Sequence, residues 1–114
     1  MIEQNWTLDD AQRAVGVGWH DILRRLFAPK PVCVHIVQVK EKFGVLRVYA
    51  AYSDVIPDPE ALQTFESLIT GAEAESARTC EDCGQPGTLR PGGWMRTLCS
   101  HCDWKWQLTR GKKF

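Results

Sequence analysis

No apolar run in the 114-residue chain approaches the ~20 residues needed to cross a bilayer, so a membrane-spanning role is not expected. The opening residues, Met1-Ile2-Glu3-Gln4-Asn5, carry neither the basic nor the apolar region of a secretory signal, which points to the cytoplasm. There is no glycine-rich phosphate loop, no His-Glu metalloprotease motif and no nucleophilic Cys-His pair. Net charge is absent as well, since 14 Lys/Arg balance 14 Asp/Glu. That balance hides an asymmetry. Residues 1–77 hold seven basic against eleven acidic side chains, a balance of −4, and residues 78–114 hold seven against three, a balance of +4. Taken alone, the basic balance of the second part would suggest nucleic acid as a partner.

What is present is a metal-ligand spacing. Cys80-Glu81-Asp82-Cys83 is followed by fifteen residues and then Cys99-Ser100-His101-Cys102. Two Cys-x-x-Cys knuckles at that separation are the pattern of a four-thiolate zinc site. Each knuckle aims two sulfurs at one point, and a tetrahedral ion needs the two brought face to face. Four ligands leave no open position for water, so the expected role is structural and not catalytic. His101 is the alternative donor, but knuckle geometry favours Cys99 and Cys102. Cys33 lies far off in a strand-like run and reads as a small apolar core residue.

Before the first knuckle the order reads α-β-β-α. Thr7 and Asp10 form a shortened capping box for a helix start, and Gly16-Val17-Gly18 interrupts that helix. Trp19, Ile22, Leu23, Leu26 and Phe27 follow an amphipathic helical spacing that Pro29 and Pro31 end. Val32–Val39 and Val45–Tyr52 are strand material, joined by Lys40-Glu41-Lys42-Phe43-Gly44 as a solvated hairpin loop. After Pro57, Asp58 caps and Pro59 opens a second helix, with Leu62, Phe65, Leu68, Ile69 and Ala72 on its apolar side and its end near Ser76. The expected fold class is therefore α+β: an α+β unit over residues 1–77, with a zinc ribbon over 78–114 packed on it, either as a separate module or as part of one continuous domain. In the ribbon, Thr88–Arg90 and Trp94–Leu98 read as short strands, and Trp104 and Trp106, alternating with Lys105, would share one face on a strand. The tail Arg110–Phe114 is basic and expected to be loose.

Several of these stretches together resemble a known family. Gly18-Trp19, the run from Val37 to Arg47, Cys80-x-x-Cys83-Gly84-x-Pro86-Gly87 and Gly93-Trp94-x-x-Thr97-Leu98-Cys99 resemble small zinc-ribbon proteins of bacterial genomes, phages and prophages, mostly described as hypothetical. The resemblance runs from Trp19 to Cys102. It implies a metal site and no settled activity. Members usually end the ligand set in Cys-x-x-His; here Cys102 takes that place, an exchange between two ligand types that zinc accepts.

Trp94, Arg96, Trp104 and Trp106 are the candidate partner surface. Aromatics among basic residues can stack bases, anchor a protein or dock on the α+β part. The expected function is a non-catalytic interaction or inhibitory module of a mobile element, or an immunity protein neutralising a toxin, with a toxin or host factor as partner. DNA or RNA binding by the basic zinc end is the alternative. A Mg²⁺ nuclease built on Gln38-x-Lys40 is remote, because its nearest upstream acid, Asp21, falls on a helix.

Overall fold

Thr7 begins the first helix by a reciprocal cap. In the computed structural model, which describes residues 5–53 and 58–110, the Thr7 hydroxyl accepts from the Asp10 amide at 3.1 Å, and the Asp10 carboxylate accepts from the Thr7 amide at 2.9 Å. Helix α1 (Leu8–Arg13) is short and stops before a 3₁₀ turn at Val17–Trp19, as the two glycines require. Helix α2 (His20–Phe27) then buries Ile22, Leu23 and Leu26. Trp19 at its head is wholly buried.

Strands β1 (Val34–Lys42) and β2 (Val45–Tyr52) form an antiparallel hairpin. The connection corrects the sequence expectation. Lys40, Glu41 and Lys42 are not loop; they pair with Arg47, Leu46 and Val45. The turn is only Phe43-Gly44, with φ of +55° and +83°. Two successive positive φ values are the condition of a tight primed turn, which matches the twist of the flanking strands. The charged residues looked like loop because one face of this two-stranded sheet meets solvent. A bulge at Val37 shifts the alternation, so that Val34 and Ile36 before it and Val39 after it all point into the core. Val32, expected as strand, lies before β1 and is exposed.

Helix α3 (Pro59–Ser76) starts where expected, with the Asp58 carboxylate accepting from the amides of Glu60 and Ala61. Pro57 and the tail beyond residue 110 lie outside the described residues. Phe65 and Ala72 are buried in the core, while Leu68 is exposed at 41 %. The helix also covers the edge of β2. The Leu46 amide donates to the Ser76 hydroxyl at 2.9 Å and the Val48 amide to Glu73 at 3.0 Å. An edge satisfied in this way offers no template for another strand. The core is thus one layer of helices on one face of the hairpin, as in an α+β fold.

The ribbon follows α3 directly. Strands β3 (Thr88–Arg90) and β4 (Arg96–Leu98) pair antiparallel, with Trp94 and Met95 ahead of β4 and not within it. Helix α4 (Ser100–Arg110) ends the described chain. Three long-range hydrogen bonds tie the ribbon to the rest: Gly18 amide to Glu81 carbonyl at 2.7 Å, Trp19 indole to Thr79 carbonyl at 2.9 Å, and Thr97 hydroxyl to Gly44 carbonyl at 2.7 Å. Among the described residues no helix is long and apolar enough to cross a membrane.

Candidate metal centre

The first knuckle is folded by its own backbone. The Cys80 amide donates to the Gln85 carbonyl at 2.7 Å, and the Gly84 amide returns to the Cys80 carbonyl at 3.0 Å. Gly84 holds φ +86°, a conformation that closes the turn and that residues with a Cβ disfavour. The second knuckle is the transition from β4 into α4. Cys99 precedes the helix and Cys102 sits in its first turn, where its amide donates to the Cys99 sulfur at 3.3 Å.

All four sulfurs, of Cys80, Cys83, Cys99 and Cys102, lie within 4.8 Å of one another, with Cys83 and Cys99 at 3.7 Å. A tetrahedron with Zn–S bonds of about 2.3 Å has edges of about 3.8 Å. The donor set therefore fits a soft divalent ion, and the four cysteines could hold a metal ion. Cys80 is fully buried and Cys102 nearly so, whereas Cys83 is exposed and Cys99 half-buried. Leu98 and Trp106 back the buried side. The Cys102 amide draws the Cys99 thiol down to about 7. Burial pushes the Cys102 thiol up, an effect that a bound cation reverses. His101 is exposed, lies against Trp104 at 6.3 Å between ring centroids, and is outside the cluster. Cys33 packs against the main core.

One functional residue escaped the sequence reading. Glu81, inside the first knuckle, is 4 % exposed. Burial pushes its carboxyl up, opposed by the Thr97 amide, which donates at 2.8 Å, and by Arg96. Its backbone amide also donates to the Thr97 carbonyl at 2.9 Å. Glu81 thereby staples β4 to the first knuckle from both main chain and side chain. Nothing local marks it, because its partners are sixteen residues away.

The proposed partner surface is rearranged. Trp104 and Trp106 lie on a helix and not on a strand, so residues two apart point to nearly opposite sides. The alternation Trp-Lys-Trp was too short to define a strand, and the second knuckle seeds a helix instead. Trp106 meets the edge of Trp94 at 6.1 Å and carries the Arg96 guanidinium 4.8 Å above its ring. Arg96 is also bonded to Asp82 at 2.7 Å, and only 15 % of its side chain is exposed. Trp94 remains 60 % exposed, as does Trp104 elsewhere on α4. Of the nuclease candidates, Asp21 is on α2 and paired with Arg24 and Arg25, while Gln38 and Lys40 are on β1.

No protein-family model, curated protein or solved structure matches the chain.

Proposed function

We propose that this is a non-catalytic protein-binding module whose C-terminal third is kept folded by a structural zinc ion on Cys80, Cys83, Cys99 and Cys102. The observation that carries the reading is the convergence of four sulfurs at tetrahedral spacing, on knuckles docked into the α+β unit. Bound there, zinc would supply folding energy, since ligands scattered in the unfolded chain are gathered only in the fold. Four thiolates fill the tetrahedron, so the ion has no position left for substrate.

The wider reading, that of an inhibitory or immunity protein from the bacterial and phage zinc-ribbon family acting in a reducing cytoplasm, rests on the motifs and on small size. A protein partner is favoured over nucleic acid by the fate of the zinc-end cations. Arg96 is committed to Asp82 and Glu81, and Arg90 lies 3.9 Å from Asp103. Such pairing leaves fewer cations for phosphates. Affinity capture from the native host tests the reading. A single stoichiometric protein is the expected recovery, and nucleic acid alone would overturn it.

A further inference from the structure

The hairpin face turned away from the helices has an unusual charge pattern. After the bulge at Val37, the side chains pointing outward are Gln38, Lys40 and Lys42 on β1 and Val45, Arg47 and Tyr49 on β2. Lys40 stands directly opposite Arg47. Like charges facing each other across a ladder are destabilising. Among the described residues, the one ion pair made by these cations is that of Arg47 with Glu73 of α3, at 3.9 Å. Lys40 and Lys42 have no carboxylate partner among the described residues. Glu41 does not help, because its carboxylate turns back to accept from the Gly44 amide at 2.6 Å.

At the hairpin tip, Phe43 takes positive φ and is 66 % exposed. A bulky residue in that conformation carries strain, which the tight turn imposes while leaving the aromatic ring out in water. Beside it Glu41, Lys42, Phe43, Gly93, Trp94 and Met95 line a cleft of about 300 Å³, in which the Glu41 carboxylate is engaged by the Gly44 amide. The tip is fixed to the ribbon by the Thr97–Gly44 hydrogen bond and by Leu89, whose methyl would lie 2.7 Å from a Cβ on Gly44. The metal-supported ribbon therefore completes the apolar end of a cationic strip.

We propose that this strip, Lys40, Lys42 and Arg47 with Tyr49, Phe43 and Trp94, is the docking surface for an acidic segment of a partner protein carrying an apolar anchor. The proposal rests on the protein-binding reading above and names the partner's chemistry. Carboxylates of the partner meet the three cations, and the anchor enters the Phe43–Trp94 cleft. An acidic protein fits better than single-stranded nucleic acid because the Tyr49 and Phe43 rings each already carry a lysine ammonium over one face. Lys40 Nζ lies 5.5 Å above Tyr49, and Lys42 Nζ 5.8 Å above Phe43. A carboxylate reaches those ammonium groups from solvent and leaves the cation–π contacts in place, whereas a stacking base must displace them.

The test uses the zinc-loaded full chain and two labelled probes. One is a Glu/Asp-rich peptide of about ten residues with one central leucine, long enough at about 3.3 Å per residue to run along the strands. The other is an oligothymidylate of equal length. Fluorescence anisotropy should show peptide binding that weakens with salt and falls about tenfold in Lys40→Glu/Lys42→Glu, the scale of a few exposed charge contacts reversed. The double variant should melt no lower than wild type, since Lys40→Glu faces Arg47 with an opposite charge. No peptide binding, binding unchanged in the double variant, or tighter binding of the oligonucleotide would each overturn the proposal. Helix α3 carries four glutamates and no Lys or Arg, so a second copy is the competing occupant. Self-association that disappears in the double variant would overturn assignment to a different protein. Host capture separates the two readings. A protein recovered by wild type and lost by the double variant supports this surface. A protein retained by the variant sinks the surface and leaves the protein-binding reading intact, and absence of any protein sinks that reading itself.

Discussion

Gly18→Ala is the sharpest structural perturbation the fold offers. An ideal Cβ on Gly18 would lie 2.6 Å from the Gly84 nitrogen and 2.7 Å from the Glu81 carbonyl carbon, and would collide with the Cys80 carbonyl oxygen. All three are backbone atoms of the first knuckle, so no side chain can swing aside. The knuckle must retreat from the 3₁₀ turn. Overpacking of this kind costs about 1–3 kcal/mol. Retreat also stretches the Gly18–Glu81 hydrogen bond of 2.7 Å, whose loss adds about 0.5–1.5 kcal/mol. The combined cost, about 1.5–4.5 kcal/mol, is a large share of the roughly 5–15 kcal/mol that stabilises a typical domain. Urea unfolding of the zinc-saturated protein, followed by tryptophan fluorescence, measures it. Because Cys80 is part of the displaced knuckle, Gly18→Ala should also lose zinc faster to a competing chelator. A stability change under about 0.5 kcal/mol, the scale of an ordinary surface substitution, with unchanged zinc retention would refute the claim that the knuckle is seated on Gly18.

Gly71→Ala makes the opposite prediction. Gly71 lies within α3 with nothing near the position of a Cβ, so alanine should stabilise the chain by about 0.5–1 kcal/mol in the same urea assay. Tyr52 gives the pH dependence. Burial first, and its 2.9 Å hydrogen bond to Glu66 second, push the phenol up from 10.0 to about 12. The folded state thus holds this proton more tightly than the unfolded state. The resulting stability is complete below about pH 10 and is lost as pH rises through about 12. Spectrophotometric titration should find one tyrosine ionising late, and Tyr52→Phe should remove that step and flatten the alkaline decline.

The parts of the fold that were legible are those set by short-range chemistry. The cysteine spacing, the Thr7–Asp10 box, the Asp58-Pro59 start and the apolar spacing from Trp19 to Leu26 each state their structure within a few residues. What was not legible depends on distant partners. Gly16 and Gly18 looked like helix breakers, and they are, but their closer constraint is the knuckle that arrives more than sixty residues later. Lys40 to Lys42 read as loop because charge alone does not distinguish a turn from the wet face of a sheet. Gly44 marked the turn, but Phe43 concealed how short it is, since an aromatic at positive φ is not a turn signal. In the candidate site, the four cysteines were visible and their support was not. Arg96 looked like a free surface cation, yet Glu81 and Asp82 engage it. Trp104 and Trp106 would share a face only on a strand, and three alternating residues fit a strand as easily as the turn of helix that forms.

The central claim is that a metal ion on four cysteines holds the C-terminal third in place. Native mass spectrometry of the full chain, purified without chelator, tests it most directly. The account predicts one zinc ion per chain, absent when Cys80 and Cys102 are both replaced by serine. A wild-type chain that purifies free of any metal and remains folded through residue 110 would contradict it.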